Sequence, residues 1–74
     1  MKLALLTANE LIKVLEKMGF KLLRQRGSHI FFKHSDGRTT LVPRHSGDVI
    51  DLGLLNKIIK KDLKVDRNEF LKYV

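Results

Sequence analysis

The stretch from Phe20 to Val42, FKLLRQRGSHIFFKHSDGRTTLV, decides the fold. Alternating apolar and polar side chains mark a half-buried strand, and the pattern occurs three times here. Phe20 to Arg26 reads as a first strand, with Phe20 and Leu22 on one face and Lys21, Leu23 and Gln25 on the other. Gly27 marks a turn. Ser28 to His34 is a second strand, in which Ile30 and Phe32 face a core while His29, Phe31 and Lys33 point the opposite way. Ser35-Asp36-Gly37-Arg38 carries the Asp-Gly signal of a hairpin. Thr39 to Val42 is the third strand, and Pro43 ends its pairing because proline has no N–H to donate.

Helices flank the three strands. Thr7-Ala8-Asn9-Glu10 has the form of a capping box, and Leu11, Val14, Leu15 and Met18 follow at helical spacing. Gly19 then supplies the left-handed position that closes a helix of about Ala8 to Met18. Beyond the third strand, His45-Ser46-Gly47-Asp48 reads as loop. Asp51 caps a second helix reaching about Asp62, with Leu52, Leu55, Ile58 and Ile59 as its apolar face. Asp66 to Glu69 offers another capping box, opening a short terminal helix with Phe70 and Leu71. The expected fold is α+β, in the order α-β-β-β-α plus a short C-terminal helix. A three-stranded antiparallel meander with both main helices on one face is its simplest packing. The other sheet face is then open and carries His29.

A chain of 74 residues allows one domain, residues 1–74, with one small core. Domains of this size bury only about 60% of their unfolded surface. With no cysteine, neither a disulfide nor a thiolate metal site adds stability, and a reducing cytosol is the compartment that fits. Fifteen Lys and Arg against eight Asp and Glu leave a net charge of +7, which calls for a polyanionic partner, an acidic protein partner, or both. The longest apolar run, Leu3 to Leu6, is too short to span a membrane, and no cleavage-site pattern follows it. A cytosolic globular module is expected, without low complexity or internal repeats.

The order of elements is that of the double-stranded-RNA-binding domain. Particular residues point further: Gly19-Phe20, Arg24-Gln25-Arg26-Gly27-Ser28-His29, Asp36-Gly37-Arg38, Val42-Pro43-Arg44-His45, and Gly53 opening an apolar helix. Together they resemble the HicA toxin family over roughly Thr7 to Leu71. The Gly-Ser-His and Val-Pro-x-His segments are specific at this separation, whereas either alone is weak. Leu54 stands where the family usually has a small residue. The resemblance implies a small prokaryotic, cytoplasmic RNA-cleaving toxin with a HicB antitoxin, and a single catalytic histidine at His29.

An imidazole titrates near pH 6.5, so it can exchange a proton at neutral pH. RNA carries its own nucleophile, the 2′-hydroxyl, and one acid–base group is worth about 10²–10⁴-fold in rate. On composition alone His29 is a solvated strand histidine; the resemblance turns it into a catalyst. His45 reads either as a general acid or as a loop histidine that caps a strand end or contacts phosphate. His34, beside a polar turn, reads as structural or solvated. The three histidines match no compact zinc spacing and the acids form no pair, so neither metal nor cofactor is expected.

Phosphate contacts are expected from Lys33, on the face of His29, and from Arg24, Arg26, Ser28, Arg44 and His45. Arg24 and Arg26 alternate with Gln25, so not all three can face one way. Lys57, Lys60 and Lys61, with Lys64, line one side of the second helix; such a stripe is either a solvated face or a phosphate track. Phe31 and Tyr73 could stack on bases, or be covered by an antitoxin and by the terminus respectively. The expected function is a metal-independent endoribonuclease, an mRNA interferase. The alternatives are a non-catalytic RNA-binding module of the same fold and a basic adaptor for an acidic protein.

Overall fold

A computed structural model describes residues 5–44 and 49–74. The elements run α1 (Ala8–Lys17), β1 (Lys21–Arg26), β2 (His29–Lys33), β3 (Thr39–Pro43), α2 (Leu52–Lys57), a π-helical continuation (Ile58–Leu63) and α3 (Arg67–Leu71). The order is the expected one, and the three strands form one antiparallel sheet in the order β1-β2-β3.

Local chemistry starts each helix. Thr7 Oγ1 accepts the Glu10 N–H at 3.2 Å while Glu10 Oε1 accepts the Thr7 N–H at 2.8 Å, so the capping box of α1 is closed from both sides. The Thr7 backbone N–H first, and the Thr7 side chain after it, hold the Glu10 carboxyl below its ordinary range. Asp51 Oδ2 accepts the Gly53 and Leu54 N–H groups, and Asp66 Oδ1 accepts that of Glu69, which begins α2 and α3.

Beyond Lys57 the helix winds wider rather than continuing as α, contrary to the single regular helix that the spacing predicts. A five-residue hydrogen-bond step sets Leu63 over Ile58, and Ile58, Ile59 and Leu63 are all buried. Two ties to the sheet fix the end of this segment. Arg38 Nη1 donates to the Leu63 carbonyl at 2.6 Å, satisfying an acceptor that a helix end leaves free. The buried Thr40 hydroxyl donates to Asp62 Oδ2 at 3.0 Å.

One core results. Leu11, Val14 and Leu15 of α1 and Leu55, Ile58, Ile59 and Leu63 of the second helical stretch pack with Phe20, Ile30, Phe32, Val42 and Phe70. Ile30 and Phe32 of β2 and Val42 of β3 point to this side; their neighbours His29, Phe31, Lys33 and Leu41 point to the other. The helices thus cover one face and leave the other open, as the alternation predicts. Tyr73 is half-buried against the core, the packing alternative for that ring.

Candidate active site

The open face is laid out by the register of the sheet. His29 lies opposite Arg26 of β1 on one side and Pro43 of β3 on the other. Directly opposed residues project to the same face, with Cα atoms about 4.5–5.5 Å apart. One step along, Arg24, Phe31 and Leu41 form a second row, and Lys21, Lys33 and Thr39 a third. Being on the central strand, His29 is held by pairing on both sides.

Strict alternation from Phe20 would send Arg24 and Arg26 to the core face. The structure puts both on the face of His29, because β1 bulges between Leu22 and Arg24. One extra residue, Leu23, flips everything after it to the other side. The adjacent leucines Leu22-Leu23, which break an otherwise alternating strand, are the sequence signal for it. The Arg24 guanidinium then lies 4.7 Å from the centroid of the Phe31 ring, a cation–π contact that leaves Phe31 half-buried.

Several expected site residues gather at one end of the sheet. The Arg44 N–H donates to the Ser28 carbonyl at 2.6 Å, so Arg44 follows directly after the His29–Pro43 pair. Arg26, Ser28, His29 and Arg44 therefore share one corner, with Arg24 one row away. His29, Arg26 and Arg44 are exposed. Among the described residues no side chain hydrogen-bonds the His29 imidazole, which is exposed to solvent. Lys33 shares the face but sits four residues along β2, about 13 Å away at strand rise. Its neighbour across the sheet is Lys21, a cation that the sequence reading left unassigned although alternation put it on this side.

Lys57, Lys60 and Lys61 are elsewhere. They project from the helical layer, whose inner residues pack on the other side of the sheet, and are exposed. His45 lies outside the described residues. His34 has a structural place, one of its two expected readings. Its Nδ1 lies 3.1 Å from both the Asp36 backbone nitrogen and Asp36 Oδ1, and its Nε2 lies 3.2 Å from the Met18 carbonyl oxygen. The ring meets Phe20 edge-on at 5.1 Å. It thereby ties the β2–β3 hairpin to the end of α1, away from His29.

The family model for the HicA toxin of bacterial toxin–antitoxin systems matches residues 8–64. The chain belongs to the HicA toxin family. That match spans α1, all three strands and the second helical stretch, and takes in every site residue named above. Membership in a toxin–antitoxin family implies an antitoxin partner. A search of curated proteins returned no match. No helix among the described residues is long and apolar enough to cross a membrane.

Proposed function

We propose that this HicA toxin is a metal-independent endoribonuclease, an mRNA interferase, with His29 as its acid–base group. The observation that carries the reading is the corner just described: an accessible imidazole on the central strand, with Arg26 directly opposite on the same face and the backbone of Arg44 following its other partner, Pro43, at the same end of the sheet. An exposed histidine without cations around it would serve as little more than solvated surface.

In the proposed reaction the substrate's 2′-hydroxyl attacks the adjacent phosphorus. His29 accepts the 2′-hydroxyl proton as the O2′–P bond forms. The P–O5′ bond breaks in line with it, and the departing 5′-oxygen takes up a proton, from a protonated His29 or from a second donor for which His45 is the candidate. The products are a 2′,3′-cyclic phosphate and a 5′-hydroxyl, with no water consumed. Arg26, Arg24 and Arg44 neutralise the extra charge on the phosphorane, and such fixed charges act where charge develops. Ser28 positions the phosphate through its hydroxyl. Lys33, about 13 Å along the strand, holds the next stretch of the strand rather than the reacting phosphate. Lys57, Lys60 and Lys61 meet the backbone of a longer RNA that wraps round the domain.

In the cytoplasm such a nuclease requires restraint, and an antitoxin lying over the open face would supply it by covering His29. The test of the site is His29→Ala. This variant should keep the fold, since the side chain contributes nothing to the core, and should keep RNA affinity. It should lose RNA cleavage and growth inhibition. Wild-type cleavage by His29→Ala would overturn the assignment. Loss of affinity along with cleavage would favour an RNA-binding role.

A further inference from the structure

Two consecutive leucines stand exposed on the edge strand, Leu22 in the row of Phe32 and Leu23 at the bulge that follows it. Leu22 is 59% and Leu23 57% exposed, values far from those of the core leucines. They border a groove of about 540 Å³ whose other walls are Gly19, Lys21, Lys33, His34 and Ser35. The groove lies where α1 passes into β1, at the far end of the open face from His29. β1 pairs only with β2, so its outer backbone edge is free as well.

Charge makes the groove more than an apolar rim. Lys21 and Lys33 are directly opposed across β1 and β2, and like charges so placed disfavour the pairing. Among the described residues neither lysine takes part in an ion pair, and no acidic side chain lines the groove. A ligand that satisfies the site therefore brings carboxylates for the lysines and an aliphatic group for the leucines. RNA fits half of this: phosphates suit Lys21 and Lys33, but leucines neither stack on bases as aromatic side chains do nor bond to the backbone. An acidic protein segment with an apolar side chain fits both.

We propose that this groove is the anchor point of the antitoxin, which lays an extended acidic segment along it with one apolar side chain packed on Leu22 and Leu23. The inference rests on the reading of the chain as a toxin held by a protein partner. It separates grip from inhibition: the anchor is at the Lys21–Lys33 row, and the segment runs from there along the open face to the His29 row. Opposite charge speeds the encounter, while the leucines set how long the complex lasts.

The experiment uses the purified toxin and the antitoxin encoded beside it. Binding is measured by titration calorimetry for wild type, Leu22→Asp, Leu23→Asp and the milder Leu23→Ser, with circular dichroism to confirm folding. RNA cleavage is measured for each in parallel. Both side chains project from an edge strand into solvent, so the free toxin should fold and cleave as wild type does. The Asp variants should bind antitoxin at least about tenfold more weakly, and Leu23→Ser should fall between them and wild type. Raised salt should weaken wild-type binding, through the lysines. Unchanged antitoxin affinity in both Asp variants would overturn the proposal. So would loss of RNA affinity with antitoxin binding intact, which would assign the groove to RNA. Failure of wild type to cleave RNA would sink the nuclease reading while the binding comparison still decides the groove.

Discussion

Gly19→Ala should destabilise the domain more than Gly37→Ala, and the difference measures how firmly His34 ties the hairpin to α1. Both glycines have nearly the same φ, +100° at Gly19 and +98° at Gly37. An L-residue with positive φ costs about 1–2 kcal/mol, so both substitutions share that strain. At Gly37 a new Cβ meets nothing within 4 Å. At Gly19 it would lie 3.0 Å from His34 Nε2 and 3.4 Å from Cδ2. The ring can retreat only by stretching its contacts with Met18 O at 3.2 Å and the Asp36 N–H at 3.1 Å, and its edge-on packing against Phe20. One hydrogen bond is worth about 1 kcal/mol, and an aromatic pair about 0.5–1.5 kcal/mol. The extra cost at Gly19 is therefore about 1–2 kcal/mol. At about 4–8 °C per kcal/mol for a domain of this size, Gly37→Ala should lower Tm by about 5–15 °C and Gly19→Ala by about as much again. Thermal melts and urea titrations followed by circular dichroism read both values. Gly19→Ala combined with His34→Ala should lose the extra cost, because the ring that blocks the methyl is gone. Equal destabilisation by the two glycine substitutions would refute the account of His34. Cleavage below the melting range should be unaffected, since the tie lies at the other end of the sheet from His29.

Two further perturbations test other parts. Asp36 accepts the Arg38 N–H at 3.0 Å and Arg38 Nε at 2.8 Å, and these contacts, the backbone bond first, hold its carboxyl below the ordinary value. A folded-state pKa below the unfolded one of about 3.9 means that ionised Asp36 stabilises the fold above that pH, and the contribution disappears as pH falls through the folded value. Asp36→Asn should thus weaken the protein at pH 7 and have less effect in strong acid; an equal effect in urea titrations at pH 7 and pH 2 would count against the ion pair. Charge reversal at Lys57 and Lys60 should weaken binding of long RNA whatever its sequence, and flatten the plot of log K against log salt by about 0.7 per lost single-strand contact. An unchanged slope would mean that the stripe is only solvated.

Much of the layout was legible because the strands alternate and their ends are punctuated. Ile30 and Phe32 against His29 and Lys33 oriented β2, Asp36-Gly37 placed the hairpin, and Thr7 with Glu10 placed the start of α1. What escaped came from features in which local spacing and tertiary packing disagree. The bulge at Leu23 is one, since a strand read in isolation has no partner against which to count an extra residue; Arg24 and Arg26 joined the face of His29 only because of it. The π-helical turn is another: Ile58 and Leu63 share a face only if the helix widens, and that depends on the sheet beneath and on Arg38 and Thr40 holding its end. The separation of Lys33 from His29 by four strand residues was countable from the sequence. Its consequence emerged only once Arg26 and Arg44 were found closer.

The most direct measurement is the identity of the ends that the purified toxin leaves on a defined RNA in the presence of EDTA. Attack by the 2′-hydroxyl with His29 as acid–base group predicts undiminished cutting, with a 2′,3′-cyclic phosphate on one fragment and a 5′-hydroxyl on the other. Cutting abolished by EDTA, or fragments ending in a 5′-phosphate and a 3′-hydroxyl, would show that water or a metal-bound hydroxide is the nucleophile and would contradict the account.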